Sequence, residues 1–344
     1  MIDRILIVGY GSIGKRHLRI AREYVPNADI RVLRHQECPN TPEYSNGCFS
    51  KVEHALTFNP QLAVIANPAP FHLSIAQLLA ETGTHLLIEK PISVSVDGVQ
   101  NLIDTCRKHK VIILTGYNLR YLSSLQKYRE LLKDNCIGDV LSIRCEVGQY
   151  LPSWRPDADY KEGVSARKEL GGGVLSELSH EIDYLRWIFG EVDWVKATLS
   201  QQSSLAIDVE DTAHLIIGFL PEDTNKQPIG VLSMDFIRHD TTRICTAIGD
   251  AGTLRWNGVT GVVELFKLEA KEWHEVFKYN HQRDDSYSSE WKHFLDCVKN
   301  QKFPFINGED GLAVLNIIEA ARHAAETGKQ VQIATSHKIG FVTA

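Results

Sequence analysis

Two groups of residues in this 344-residue chain have types and spacings suited to moving a proton beside a developing charge. The first lies between Leu175 and Phe189, which the periodicity predicts as one amphipathic helix. Leu175, Leu178, Ile182, Leu185, Ile188 and Phe189 fall on one apolar arc, while Ser176, His180, Asp183 and Trp187 crowd the opposite side. Such a helix either turns its polar side to water or forms the wall of a site. Gly171-Gly172-Gly173 at its start favours a site, because three missing side chains allow a ligand to approach the backbone. Histidine titrates near neutrality, as an acid/base group must. The second group is Glu89-Lys90-Pro91. Lysines are mostly surface cations; this one follows an apolar strand and stands between a carboxylate and a proline, where a fixed positive charge would stabilise an oxyanion.

The elements that must position these groups begin with Arg4 to Val8, a strand, followed by Gly9-Tyr10-Gly11-Ser12-Ile13-Gly14 and a helix from Lys15 to Tyr24. Strand, Gly-x-Gly-x-x-Gly, helix is the dinucleotide fingerprint. Gly9 permits the turn, Gly11 admits the pyrophosphate, Gly14 lets helix and strand pack, and the amides of Ser12 and Ile13 face the phosphates. The next strand, Ile30 to Leu33, ends in Arg34-His35, with no acidic residue there to bind a ribose 2′-hydroxyl. This tilts the cofactor toward NADP; stacking of Arg34 on the adenine of NAD is the alternative. Strands at 62–66, 85–88 and 111–115 alternate with helices at 72–82 and 94–108, predicting an α/β fold with a parallel sheet covered on both faces. Asn67-Pro68 with His72, Glu89-Lys90-Pro91 and Gly116-Tyr117-Asn118 fall at the carboxyl ends of those strands, where ligands of such sheets bind.

With these residues together, the chain resembles the Gfo/Idh/MocA oxidoreductases, named for glucose-fructose oxidoreductase and inositol dehydrogenase. The resemblance runs from the fingerprint through Asn67-Pro68, His72 and Glu89-Lys90-Pro91 to the glycine triplet and His180-Glu181-Ile182-Asp183, ending with Gly308-Glu309-Asp310-Gly311. It implies an N-terminal Rossmann domain and a C-terminal α/β domain with a large, open, mainly antiparallel sheet that makes a dimer or tetramer contact. It implies that Lys90 meets nicotinamide ribose and substrate, with a cis Lys90-Pro91 bond, that His180 is the acid/base, and that Asp183 holds substrate. The chain departs at Ser176, where many relatives carry an aspartate four residues before the histidine; the intervening stretch is also one residue shorter. Glu177 is then the nearest carboxylate, a partner for His180 or a substrate ligand.

Domains of 1–120 for the dinucleotide and 121–344 for substrate and oligomerisation are expected. Strands at 140–148, 195–199, 212–219, 229–236, 243–249, 252–256 and 262–267 alternate polar and apolar residues, and a helix from Glu309 to Thr327 closes the chain. Between the first of these strands and the glycines lies an irregular stretch carrying Tyr150, Trp154 and Arg155. It either receives a sugar ring and an anionic group or uses its aromatics as anchors, and it resembles relatives of bacterial surface-sugar pathways. The net charge of −6, without a basic cluster, excludes a nucleic-acid face, and no apolar run is long enough to cross a membrane. The strand so near the N-terminus leaves no room for a leader. Seven cysteines without a Cys-x-x-Cys pair read as reduced thiols in a cytoplasmic protein with no metal. The sequence therefore reads as an NAD(P)-dependent dehydrogenase or reductase of a sugar, sugar derivative (a surface-polysaccharide or nucleotide-sugar intermediate) or polyol. Its rivals are a redox-neutral glycosidase-type enzyme of the same family and a non-catalytic dinucleotide-binding sensor.

Overall fold

The hydrophobic pattern changes period near residue 120, from unbroken apolar strands to alternating ones, and the architecture changes with it. The computed structural model describes residues 2–36, 40–156, 158–221 and 227–333. These form two compact units. One comprises the chain up to Tyr121 with Glu169–Gly171 and Gln282–Leu315; the other comprises Leu122–Lys168, Gly172–His281 and the chain from Asn316.

The first unit is built from β1 (Arg4–Val8), α1 (Ser12–Tyr24), β2 (Asp29–Leu33), β3 (Gly47–Phe49), α2 (Val52–Thr57), β4 (Leu62–Ile65), α3 (His72–Glu81), β5 (His85–Ile88), α4 (Val99–Lys108) and β6 (Ile113–Thr115). Its sheet has the order β3-β2-β1-β4-β5-β6, and every pairing is parallel. This is the doubly wound order, and its direction reverses between β1 and β4, so the loops after those two strands border the binding crevice. Continuous apolar strands make sense here because both faces are covered. Ile5, Ile7, Val64 and Leu87 are buried in a core shared with Leu18 of α1. Helix α4 starts at Val99, five residues later than its periodicity suggests, because Gly98 stands in the left-handed region at φ +80°.

The second unit contains α5 (Ser123–Lys133), β7 (Val140–Gly148), α6 (Val174–Glu177), α7 (His180–Phe189), β8 (Val192–Ser200), β9 (Thr212–Phe219), β10 (Ile229–Asp235), β11 (Thr242–Gly249), β12 (Thr253–Asn257), β13 (Val262–Phe266) and β14 (Trp273–Lys278). The chain then runs through α8 (Asp285–Asn300), which belongs to the first unit and brings Trp291 and Phe294 into its core, and α9 (Gly308–Thr327) to β15 (Val331–Gln332). The nine-stranded sheet has the order β14-β13-β12-β11-β7-β10-β9-β8-β15, antiparallel except for β7 and β10. One face is apolar and buried; Tyr184 of α7 packs edge-on against Trp256 of β12, with ring centres 5.4 Å apart. The other face carries Ile216 and Val231, register partners on β9 and β10 that are 42% and 46% exposed.

Two further expectations change. The predicted helix from Leu175 to Phe189 is two helices, because the chain breaks at Leu178–Ser179: Leu178 N–H bonds to Val174 O, and Glu181 N–H bonds only three residues back, to Leu178 O. Ser176 therefore does not share a helical stripe with His180 and Asp183. Cys48, on the short strand β3, is disulfide-bonded rather than reduced, while Cys106, Cys136, Cys145, Cys245 and Cys297 are free thiols; Cys38 lies outside the described residues.

Candidate active site

In the first unit, the fingerprint loop joins β1 to α1. Gly9 has φ +93°, and a Cβ there would come within 2.7 Å of the Ala66 carbonyl oxygen and Asn67 nitrogen, so this glycine allows the β1 loop to press against the end of β4. A Cβ on Gly14 would lie 2.2 Å from the Gly9 carbonyl oxygen. Gly11 faces open space, as a close approach to a diphosphate requires, and Ser12 and Ile13 begin α1, whose first turn has no acidic residue. Arg34, at the end of β2, lies with its guanidinium 5.8 Å from the Tyr10 ring centre and donates to Gln36 Oε1. His35 is exposed beside it.

At the ends of β4 and β5, several residues expected to touch the cofactor are engaged by the protein itself. His72 is 1% exposed; its Nδ1 is 3.1 Å from Pro91 O and its Nε2 is 2.7 Å from Asn67 O. A neutral ring has one N–H and donates to one of these two carbonyls, while both nitrogens face the strand-end loops of the protein. Burial lowers its pKa, against the opposing pull of its carbonyl partners. Glu89 is likewise buried, its Oε1 2.7 Å from His17 Nε2 and its Oε2 3.2 Å from Lys90 N. Asn118 is buried and donates to Ser286 Oγ at 3.0 Å. All three hold the strand ends through bonds within the protein. Lys90 is half-buried, and its bond to Pro91 is cis.

The residues left at this edge fit a dinucleotide. Gly11 gives the open approach, the first turn of α1 carries no acidic residue, and the buried Asn67 Oδ1, beside Pro68 at the end of β4, has no hydrogen-bond partner among the described residues. An unmet buried acceptor is what a cofactor hydroxyl or amide would satisfy.

In the second unit, His180 opens α7 and is half-buried, and Asp183, one turn on, is 1% exposed. Glu181 is fully buried and paired with Arg243 at 2.7 Å. Glu177 Oε2 accepts from Ser165 Oγ at 2.8 Å, and Ser176 Oγ accepts from Arg322 Nη2 at 2.9 Å. The glycines prove to admit the protein's own atoms. A Cβ on Gly172 would lie 2.3 Å from Val164 O, and one on Gly173 2.4 Å from Glu210 Oε1, a carboxylate that also accepts from Leu175 N. In the first unit, Gly171 packs on Val94 and Pro70.

The irregular stretch folds into short turns at Leu151–Ser153, Tyr160–Glu162 and Val164–Ala166. Trp154 is an anchor: its indole N–H donates to Gln149 O, and its ring stands edge-on to Phe236. Tyr150 packs on His239, and Arg155 is exposed.

His17, Glu210, Arg243 and Arg322 were not singled out from the sequence. His17 alone left a signal: Gly14, His17, Leu18 and Ala21 form the buried stripe of α1, and a histidine within such a stripe needs a buried partner.

Comparison with known proteins places this geometry in a family. A model described as "Oxidoreductase family, NAD-binding Rossmann fold" (Gfo/Idh/MocA) matches residues 4–117, and its C-terminal alpha/beta companion matches residues 129–333. Myo-inositol 2-dehydrogenase of Thermotoga maritima is 26% identical, over 96% of this chain and 98% of its own. D-xylose 1-dehydrogenase [NADP(+)] of Haloarcula marismortui is 21% identical, over 82% and 80%. Among solved structures, levoglucosan dehydrogenase in complex with NADH has a TM-score of 0.84 at 19% identity, covering 97% of this chain and 99% of that one. The WlbA dehydrogenase of Bordetella pertussis, in complex with NADH and UDP-GlcNAcA, has a TM-score of 0.79 at 19% identity, covering 98% and 100%. These structural likenesses show the fold.

The buried His72 ring generates a prediction about stability. Below about pH 6.5 the imidazole of an unfolded chain takes up a proton, while folded His72, with its lowered pKa, stays neutral to lower pH. The unfolded state then binds more protons, so stability falls with pH in that window. His72→Gln is expected to lose less melting temperature than the wild type between pH 7 and pH 5. Equal losses in thermal scans of the two proteins would refute the assignment.

Proposed function

The chain belongs to the Gfo/Idh/MocA oxidoreductase family, and on that premise we propose that it is an NAD(P)-dependent dehydrogenase or reductase acting on a CH–OH group of a sugar, sugar derivative or polyol. The observation that carries this reading is the junction of β1 and α1, where Gly11 opens onto space and Gly9 presses against Asn67 at the end of β4, the strand paired with the one that leads to Lys90. Gly9, Gly11, Ser12, Ile13, Gly14 and Asn67-Pro68 would hold the dinucleotide, with Arg34 and His35 at its adenosine end. When bound, the nicotinamide ring supplies a hydride acceptor or donor for a substrate carbon. In the oxidative direction His180 would take a hydroxyl proton on its imidazole, and the role proposed for Lys90 is to supply positive charge to a developing oxyanion. Asp183 and Glu177 orient substrate hydroxyls, with Tyr150 and Arg155 as further ligands for a ring and an anionic substituent. The similar proteins are named for myo-inositol, D-xylose and levoglucosan, and one complex holds UDP-GlcNAcA, which supports this substrate class. Among the described residues no helix is long and apolar enough to cross a membrane.

Replacing His180 by Ala or Lys90 by Met is expected to lower turnover by ~10²–10⁴ with NAD(P)H binding kept; near-wild-type turnover in either variant removes that residue from the chemistry. The cofactor preference is tested by fluorescence titration. Arg34→Ala is expected to weaken NADPH about tenfold, within the range of one charge-assisted hydrogen bond, and to leave NADH nearly unchanged; equal losses would refute a 2′-phosphate contact. The exposed Ile216–Val231 pair marks the sheet face proposed for self-association as a dimer or tetramer. Sedimentation velocity should show Val231→Glu as a smaller species than the wild type, and an unchanged distribution would move the interface elsewhere.

A further inference from the structure

A chain of three hydrogen bonds enters the Lys90 loop from the core of the first unit. It begins at Trp291 of α8, whose indole N–H donates to His17 Nδ1 at 2.8 Å; both side chains are fully buried. An indole nitrogen is a donor only, so Nδ1 must accept and the imidazole proton must sit on Nε2. Nε2 lies 2.7 Å from Glu89 Oε1, so His17 in turn donates to the carboxylate. The second oxygen of Glu89 accepts from the backbone N–H of Lys90 at 3.2 Å. Gly116 leaves room for this carboxylate, since a Cβ there would sit 3.2 Å from both Glu89 Cα and Oε2.

The other ionisable groups around Glu89 respond differently. Burial acts to raise its pKa, but the His17 N–H and the nearby Lys90 charge bring it below the usual carboxylate value. Glu290, the residue before Trp291, is fully buried, and burial together with the Glu89 charge holds its carboxyl well above that value. The Tyr287 hydroxyl is raised by the same two causes; its ring meets His17 edge-on at 5.7 Å and has the Arg16 guanidinium 4.7 Å from its centre. Glu89 is thus the ionised carboxylate of this pocket, and His17 is its neutral, tautomer-locked donor.

We infer that Trp291, His17 and Glu89 are positioning residues for Lys90, a chain of one-way hydrogen bonds that fixes the carboxylate against the Lys90 backbone and holds the lysine at the strand end. The inference rests on the reading of Lys90 as catalytic, but its test does not use turnover. Residues that lock a functional side chain from behind determine whether it keeps its productive geometry.

The experiment is reductive methylation of the full chain with formaldehyde and cyanoborohydride, with the rate at each lysine read by peptide mass spectrometry. His17→Leu removes both bonds of the imidazole and is expected to raise the rate at Lys90 by about threefold to tenfold, the range for losing a buried hydrogen bond. The rates at exposed Lys51 and Lys108 should stay fixed. His17→Gln, whose amide both accepts and donates, should return Lys90 to within about 1.5-fold of wild type. Nitrogen-15 NMR of the wild type should show His17 protonated on Nε2 and bare on Nδ1. An unchanged Lys90 rate in His17→Leu, a His17→Gln rate as fast as that of Leu, or a proton on Nδ1 would overturn the inference. If His17→Leu does not fold, Trp291→Phe removes only the indole N–H, and an unaltered Lys90 rate there would overturn it equally. Full activity in Lys90→Met would instead defeat the catalytic reading and leave the methylation result standing.

Discussion

A carboxylate buried at the end of a parallel strand is the constraint on which the first unit's carboxyl edge depends. Glu89 follows β5 with almost no exposure, and an ionised group there is tolerable only if its oxygens are met by donors. The chain answers with groups far apart in sequence: a histidine in the apolar stripe of α1, a tryptophan in the core of α8, and a glycine after β6 that leaves the space. The neighbouring strand ends are fixed in the same way. His72 is buried between the carbonyls of Asn67 and Pro91 and donates to one of them, and Asn118 is held by Ser286. The polar groups that the sequence placed at a binding edge are largely spent on one another. Among the described residues, the groups at this edge that face a ligand include backbone, the unmet Asn67 amide oxygen and the space in front of Gly11.

The second unit solves an analogous problem with different means. The start of α6 carries unsatisfied amides, as every helix start does, and Glu210 accepts from one of them while filling the space above Gly173. A carboxylate at that position also complements the helix dipole. Glu181, buried in α7, takes its counter-charge from Arg243 on β11. The anion at the glycine-rich turn is thus the protein's own, which separates this turn from the superficially similar one between β1 and α1, whose first helical turn carries no acidic residue.

The difference between those two turns marks the limit of what the sequence discloses. The β1 loop could be read because its requirements are local: strand, three glycines and helix lie within one short segment, and each glycine's role follows from its neighbours. The parallel sheet was legible for a related reason, since unbroken apolar runs have meaning only where both faces are covered. The partners of the second turn could not be read. Gly173 yields to Glu210 and Ser176 meets Arg322, 146 residues away, and spacing has nothing to say about such pairs. Trp291 and His17 lie 274 residues apart. The break at Leu178–Ser179 was hidden for another reason: the apolar period runs smoothly across it, while the break is visible only in which carbonyl each amide selects.

That break also bears on the departure at Ser176 that the family resemblance implies. In one continuous helix, removing a residue between the glycines and the histidine would rotate His180 by about 100° relative to everything before it. Two helices joined at Leu178–Ser179 remove this coupling. The rotation of α7 is set from its own side, by Glu181 against Arg243, by Tyr184 against Trp256 and Cys145, and by the buried Ile182 and Leu185. The rotation of α6 is set by Glu210 at its start and by Arg322 at Ser176. Length between the two can therefore change while His180 and Asp183 keep their orientation relative to the sheet beneath them. Ser176 stands on a separate helix with its own partner, Arg322, and the face of α7 that carries the histidine is built independently of it.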